Sequence, residues 1–176
     1  MLRGEVTGLR ARHDSDIPVL HAELYDDVAT RVRADSRPWY PIPSGADSPY
    51  RVGGQDDRAA FFSVVELATG ELAGEALLWG TDLHNRTAHI GISLLPAFRG
   101  RGLGTDIVRV LCHYGFAIRG LHRLQAETLA DNHAMIQAAS RAGFAREGTL
   151  RGSAWVSGGF ADEVILGLLA GEWEAT

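Results

Sequence analysis

Apolar and polar residues alternate from Thr87 to Leu95, and the apolar period becomes helical from Thr105 onwards. The turn between these two patterns, 100–104, contains three glycines in five residues, and glycine favours backbone angles that other residues avoid. The sequence therefore predicts a strand, a glycine-rich turn and a helix. Such a turn presents free backbone N–H groups and the positive end of a helix dipole, an arrangement suited to binding phosphate.

The other periodic stretches predict a mixed α/β fold. Further strands are expected at 2–11, 61–67, 71–79, 122–129, 145–156 and 160–169, with helices at about 15–30 and 132–142. The strand–helix–strand unit across the glycine turn requires one parallel pair, whereas the hairpins give antiparallel pairs. We expect a single domain over residues 1–176, with a mostly antiparallel sheet of about seven strands flanked by helices.

Residues 31–58 break this regular pattern. They contain four prolines and the aromatic pair Trp39 and Tyr40, with no helical or strand period. A long irregular segment in a compact domain is often functional. Two interpretations remain: a loop that covers a substrate with its aromatic side chains, or a surface loop held in place by buried aromatics.

Composition narrows the class of protein. A net charge of −5 argues against non-specific binding to nucleic acid. No apolar run approaches the roughly 18 residues of a membrane span, and no signal-peptide pattern opens the sequence, so we expect a cytoplasmic protein that has no membrane partner. The single cysteine, Cys112, allows no internal disulfide and no cysteine-rich metal site, and its place on the apolar helix face predicts a buried thiol.

Glycine spacing separates the known types of phosphate-binding loop. The P-loop pattern G-x-x-x-x-G-K-[ST] is absent, and Gly100, Gly102 and Gly104 do not fit the G-x-G-x-x-G spacing of dinucleotide-binding proteins. The arrangement that remains is Arg99-x-x-Gly102-x-Gly104, set between a strand that ends at Pro96 and a helix.

In this context the sequence resembles the GNAT superfamily of N-acetyltransferases, in particular the branch that acetylates the N-termini of ribosomal proteins. The resemblance covers about residues 60 to 170. Its motifs are the Arg99-x-x-Gly102-x-Gly104 turn, the central strand Ala88–Ile92, Asn132 with Gly143-Phe144 beyond it, and the C-terminal hairpin with Glu147-Gly148-x-x-Arg151 and Gly159-Phe160-x-Asp162.

The resemblance implies a use for each of these parts. The turn would hold the pyrophosphate of acyl-CoA, the end of the central strand would hydrogen-bond the pantetheine arm, and Asn132, also a favoured helix cap, would contact the CoA arm. The implied CoA-binding residues are Ser93, Leu94, Leu95, Arg99, Gly100, Arg101, Gly102, Leu103, Gly104, Thr105 and Asn132. Acetyl-CoA is the expected co-substrate, and no metal is expected.

Transfer of an acyl group to an amine needs a group that removes a proton from the ammonium. Strand alternation places His89, Gly91 and Ser93 on the face away from the core, with small side chains leaving room beside the imidazole. The family often carries glutamate at the position of His89, so His89 is the candidate base. The alternative is a packed strand histidine with no catalytic part. Glu75 and Glu127 are lesser candidates and fit ordinary surface carboxylates.

The side chains that serve as the acid in the family are replaced in this sequence. Ala139 stands where many members have tyrosine, Met135 where the ribosomal branch often has serine, and Ala154 where its hairpin can carry glutamate. A thiolate leaves without protein help or takes a proton from water, so activity is compatible with these replacements.

The sequence therefore predicts direct transfer of an acetyl group from acetyl-CoA to a primary amine, on a protein N-terminus or a small molecule. Trp39, Tyr40 and Trp79 are the candidate acceptor contacts. The alternative from another class is a CoA-binding regulatory or interaction module with weak or no catalysis. The acceptor, any acyl group other than acetyl and the oligomeric state stay open, a homodimer through the C-terminal hairpin being one arrangement.

Overall fold

A computed structural model describes residues 1–35, 37–51, 53 and 56–173, and it contains one eight-stranded sheet. The strands are β1 (Leu2–Arg3), β2 (Thr7–Ala11), β3 (Ala60–Glu66), β4 (Leu72–Asp82), β5 (Thr87–Leu94), β6 (Arg123–Leu129), β7 (Ala145–Val156) and β8 (Gly159–Leu169). The helices are α1 (Asp16–Leu20), α2 (Val28–Ala34), α3 (Leu103–Cys112) and α4 (His133–Arg141). Two π-helical segments, His21–Tyr25 and His113–Ile118, continue α1 and α3.

The strands follow the order β1-β2-β3-β4-β5-β6-β8-β7 across the sheet. Neighbours are antiparallel except for β5 and β6, which are parallel because α3 carries the chain from the end of one strand back to the start of the other. The predicted mixed α/β fold with a mostly antiparallel sheet is confirmed. Among the described helices, none combines the length and apolar character of a membrane span.

The strand predicted over 2–11 is interrupted, which gives eight strands rather than about seven. The turn between β1 and β2 is closed by a bond from Gly4 N–H to Thr7 O (2.8 Å). The Asp106 carboxylate, in the first turn of α3, accepts hydrogen bonds from the N–H groups of Glu5, Val6 and Thr7 and from the Thr7 hydroxyl. Alternation along 2–11 does not reveal this bend, because the group that fixes it lies far along the chain.

Helix α3 packs its apolar face against the sheet. Ile107, Val108 and Leu111 are completely buried, as is Leu124 on β6, and each buried aliphatic side chain contributes about 1.5–3 kcal/mol to the driving force for folding. The predicted burial of Cys112 is confirmed, and this burial raises the pKa of its thiol to about 12. The thiol is therefore a core group and not a nucleophile.

The helix predicted over 15–30 is two helices. The first ends after the π-helical segment His21–Tyr25, and α2 begins anew where Asp27 accepts a hydrogen bond from Thr30 N (3.3 Å). Because α2 continues to Ala34, the irregular segment starts later than the predicted residue 31. Four of its residues, at 36, 52, 54 and 55, lie outside the described residues.

The irregular segment is held against the π-helical segment His21–Tyr25 by hydrogen bonds and buried side chains. His21 is 1% exposed, with Nδ1 2.9 Å from Ser48 Oγ and Nε2 3.0 Å from Ile42 O. The Tyr25 hydroxyl donates to Tyr40 O (2.8 Å), and Trp39 Nε1 donates to Tyr25 O (3.1 Å). These contacts match the interpretation of a loop held in place by buried aromatics.

Candidate active site

The two parallel strands at the centre of the sheet separate and form a fork. Residues Thr87–His89 of β5 pair with Arg123–Gln125 of β6, and the pairing between the two strands ends there. Strand β5 stays paired with β4 as far as Leu94. Beyond His89, β5 therefore offers an open backbone edge, and such an edge hydrogen-bonds an extended ligand in the way that a further strand would.

The free groups of this edge differ from those expected at Ser93 and Leu95. Leu95 is fully used, since its N–H donates to Ala73 O (2.9 Å) and its carbonyl accepts from Phe98 N (2.9 Å). Backbone groups of successive strand residues point to opposite edges, so the N–H and C=O groups of Ser93 also point to β4. The N–H and C=O groups of Ile92 and Leu94 then point into the fork. Sequence reasoning missed Ile92, because only the sheet register shows which edge each residue faces.

The glycine turn leads directly from the fork into α3. Gly100 and Gly102 have φ of +72° and +79°, in the left-handed region that favours glycine. Within the described residues, the N–H groups of Gly100, Arg101 and Gly102 find no acceptor. The first N–H groups of α3, which begins at Leu103 and not at the predicted Thr105, are also free of helical partners. These free N–H groups are compatible with an anionic ligand, and binding of such a ligand by the turn stays a prediction.

Gly104 serves a different purpose from the other two glycines. Its backbone is helical, and a Cβ added there would lie 3.3 Å from Ala138 Cβ and 3.6 Å from Ile92 Cδ1. The absence of a side chain allows α3 to approach α4 and β5 closely at the point where α3 begins.

The two arginines of the turn are already in contact with the protein. Arg99 Nε donates to Leu94 O (3.0 Å), which ties the turn to the open edge of β5. Arg101 forms an ion pair with Glu66, and its guanidinium lies 5.0 Å from the centre of the Phe98 ring. The expected free positive charge of Arg101 is therefore largely balanced. Of the two arginines of the turn, Arg99 is the one with neither Nη group hydrogen-bonded to another described residue.

Asn132 acts as the cap of α4. Its Oδ1 accepts from Met135 N (3.3 Å), and its Nδ2 donates to Thr128 Oγ1 (2.8 Å). The capping interpretation is confirmed, and a contact with CoA stays a prediction. Among the positions without a side-chain acid, Ala139 is completely buried in the core, whereas Met135 and Ala154 are half-buried.

His89 lies at the base of the fork on the face away from the core. Its ring stacks on Trp79, with centroids 4.5 Å apart and planes 26° apart, and its side chain is 29% exposed. Its Nδ1 atom is buried without a hydrogen-bond partner and lies 3.7 Å from Glu127 Oε1. The open space expected beside the imidazole at Gly91 is absent, because Leu77 Cδ2 lies 3.1 Å from where a Cβ of residue 91 would be.

The two lesser candidates for the base occupy different environments. Glu75 is not a surface carboxylate: it is buried and accepts from Arg12 Nη2 (2.8 Å). Burial raises the pKa of Glu75, against the lowering effect of Arg12. Glu127 is partly exposed beside the fork and accepts from Gln125 Nε2 (2.6 Å). Of these two carboxylates, Glu127 is the one near His89.

The three aromatic residues proposed as acceptor contacts are not brought together. Trp79 is 43% exposed and lies at the fork against His89. Trp39 packs on Tyr25, with ring centroids 6.1 Å apart, and this contact gives it a structural role. Tyr40 is exposed and lies on the irregular segment. Trp39 therefore has a packing role, whereas contact of Trp79 or Tyr40 with an acceptor stays a prediction.

A sheet that forks beside a glycine turn at the start of a helix suits an extended ligand that carries an anionic group. The chain belongs to the acetyltransferase (GNAT) domain family, whose model matches residues 7–145.

Similarity to individual proteins agrees with this assignment. The chain is 34% identical over 108 residues to a putative ribosomal N-acetyltransferase, YdaF, of Bacillus subtilis, covering 61% of this chain and 59% of the relative. It is 27% identical over 95 residues to spermidine N(1)-acetyltransferase of Escherichia coli K12, covering 54% and 51%. Matches to the first curated relatives span 46% to 66% of their lengths.

The fold is also that of a solved acetyltransferase structure. Spermidine N-acetyltransferase from Vibrio cholerae, in complex with CoA and spermine, superposes with a TM-score of 0.79. The match covers 96% of this chain and 98% of that one at 18% identity. At this identity the likeness concerns the fold.

Proposed function

We propose that the chain is an N-acetyltransferase that moves the acetyl group of acetyl-CoA directly to a primary amine. The observation that carries this proposal is the fork, whose open β5 edge runs from His89 towards the glycine turn. The peptide groups of that edge suit an extended amide-containing arm. The unpaired N–H groups of the turn suit a pyrophosphate at the start of α3.

Bound acetyl-CoA supplies a thioester that a neutral amine attacks. The backbone of Ile92 and Leu94 holds the arm that carries this thioester along the open edge. Arg99 fixes the end of this edge that is nearer the glycine turn, since its Nε donates a hydrogen bond to Leu94 O. His89 takes the proton that the acceptor ammonium must lose, and general-base help of this kind contributes about 10²–10⁴-fold to the rate. The side chains of Met135, Ala139 and Ala154 have no proton to give, so protonation of the sulfur is left to water.

The acceptor side of the fork suits a cation. Trp79 exposes part of its indole next to His89, and an aromatic face attracts an ammonium group. Glu127 adds a negative charge at the same place. We propose an acceptor whose reacting amine is protonated in solution, and the names of the relatives suggest two to examine, a ribosomal N-terminus and spermidine.

A second candidate function is a CoA-binding module without turnover. It rests on the buried Ala139, which leaves no side-chain acid at the position where one is expected. The test is release of free thiol from acetyl-CoA in the presence of spermidine, an amino sugar, and peptides with ribosomal-protein N-termini. Amine-dependent release, with the acetylated product identified by mass spectrometry, is the expected result. Calorimetric binding of CoA without release on any amine would favour the module.

A further inference from the structure

Three polar side chains form a hydrogen-bonded row along one face of β6. Arg123 Nη2 donates to Gln125 Oε1 (3.0 Å), and Gln125 Nε2 donates to Glu127 Oε1 (2.6 Å). Alternate residues of a strand share a face. Since Gln125 is the register partner of His89, this row starts beside the base of the fork and extends past it.

The direction of the hydrogen bonds in this row is fixed by chemistry. A guanidinium has donors only, so the oxygen of the Gln125 amide must face Arg123 and its NH₂ must face Glu127. Arg123 is itself held by Glu147 on β7, whose Oε1 accepts from Nη1 at 2.7 Å. The Gln125 amide therefore cannot turn round without losing both bonds, and it holds the Glu127 carboxylate in place.

The row ends at the one buried nitrogen of His89. Glu127 Oε1 lies 3.7 Å from Nδ1, and Nδ1 has no hydrogen-bond partner within the described residues. The distance exceeds a normal N–H···O bond of about 3.0 Å by less than 1 Å. Trp79 covers one face of the same ring. With Nδ1 buried, Nε2 is the nitrogen left for an acceptor amine. Gly80 lies against this edge of the ring, where a Cβ would be 3.2 Å from Cδ2 and 3.9 Å from Nε2.

We propose that Glu127 is a positioning residue, which keeps the proton of neutral His89 on Nδ1 and so makes Nε2 the proton acceptor. One proton then passes from the acceptor ammonium to the Nε2 lone pair, and the imidazolium that forms lies between the Glu127 carboxylate and the Trp79 ring. Both neighbours stabilise a positive charge. This inference rests on the proposed function, in which His89 is the base.

The test combines a spectroscopic readout with kinetics on the full chain. Long-range proton–nitrogen NMR of ¹⁵N-histidine-labelled protein reports which ring nitrogen of His89 carries the proton. We expect the Nδ1–H form in the native protein and a mixed or Nε2–H form in Glu127→Gln. We also expect kcat to fall about 10–100-fold, the range typical of residues that orient another ligand or base, with KM for acetyl-CoA unchanged.

Further variants separate positioning from other roles. Gln125→Leu, which releases Glu127, should shift the tautomer in the same direction as Glu127→Gln. Glu71→Gln removes an exposed carboxylate in the turn before β4 and serves as the matched control, with no change expected.

Two outcomes would overturn the inference. The first is an unchanged tautomer in Glu127→Gln, which would show that the carboxylate does not orient the ring. The second is an activity loss in Glu127→Gln as complete as in His89→Ala with the tautomer unaffected, which would make Glu127 the base. Because the NMR readout does not depend on turnover, it decides the matter even if no amine is acetylated.

Discussion

At the scale of single residues, His89 lies at the point where β5 and β6 separate. It is the last residue of β5 that pairs with β6, and the open edge begins directly after it. Its stacking on Trp79 and its approach to Glu127 place it among groups that stabilise a positive charge.

The first prediction concerns His89→Ala. We expect kcat/KM for the acceptor amine to fall about 10²–10⁴-fold near neutral pH, with the acid limb of the pH–rate profile lost, because no side chain then takes the proton. Affinity for CoA, measured by calorimetry, should be unchanged. His84→Ala, in the exposed turn before β5, is the matched control. An unaltered pH–rate profile in His89→Ala would remove His89 as the base.

At the scale of elements, the start of α3 combines two separate tasks. Its backbone N–H groups face the glycine turn, whereas the Asp106 side chain in the same helical turn fastens the bend between β1 and β2. The helix therefore positions the anion site and fixes the N-terminal strands against it.

The second prediction tests the glycine turn. Gly102→Val should abolish acetyl-CoA binding, since a branched side chain at φ +79° forces the turn to change shape. Gly70→Val is the matched control, because Gly70 has φ +75° in the turn between β3 and β4 and likewise has no neighbour for a Cβ within 4 Å. Both variants should lose similar stability. Undiminished affinity of Gly102→Val in calorimetry would contradict the assignment of the turn.

The third prediction concerns Asp106→Asn. Burial acts to raise the pKa of Asp106, but the hydrogen bonds from Thr7 and from the backbone outweigh it, and the pKa lies below its usual value. A lowered carboxylate pKa stabilises the fold above the unfolded-state value of about 3.9, and this contribution is lost as pH falls through the folded-state value. We expect Asn to cost about 2–4 kcal/mol at pH 7, since an amide cannot accept all four bonds.

Urea unfolding at several pH values measures this effect. The difference in unfolding free energy between the native protein and Asp106→Asn should shrink as pH is lowered below about 4. Asp14→Asn, at an exposed position, should change little at any pH. A pH-independent difference for Asp106→Asn would show that the charge of the carboxylate is not what stabilises the bend.

Features that depend on local sequence patterns were predictable, whereas contacts between distant residues were not. Periodicity located β3 to β8 and α3, and glycine spacing predicted an anion site, because both signals are local. The ion pairs of Arg101 with Glu66 and of Arg12 with Glu75 join distant parts of the chain, so no local pattern announces them. The sequence shows polar residues at every second position of β6. That these residues lie beside His89 follows only from the register between β5 and β6.

At the scale of the whole molecule, the C-terminal hairpin is the most exposed part of the sheet. Strand β7 is an edge strand, and Trp155 and Phe160 near the hairpin tip are 62% and 71% exposed while in contact with each other. Exposed edges and apolar side chains favour association. The homodimer expected through this hairpin stays a prediction.

The fourth prediction tests that arrangement. Light scattering coupled to gel filtration should give the mass of two chains for the native protein and of one chain for Phe160→Ser. Val19→Ser, which replaces another exposed apolar side chain on α1, should leave the mass unchanged. Equal masses for the native protein and Phe160→Ser would exclude the hairpin as the interface.

The fork also separates the strands that are synthesised early from those that are synthesised late. Five strands and α3 are synthesised before any residue of β6, and a domain generally folds as a unit. The later strands therefore complete the sheet along three residue pairs, Thr87–His89 with Arg123–Gln125. The boundary between an early and a late half of the nascent chain therefore coincides with the place where we expect the reaction to occur.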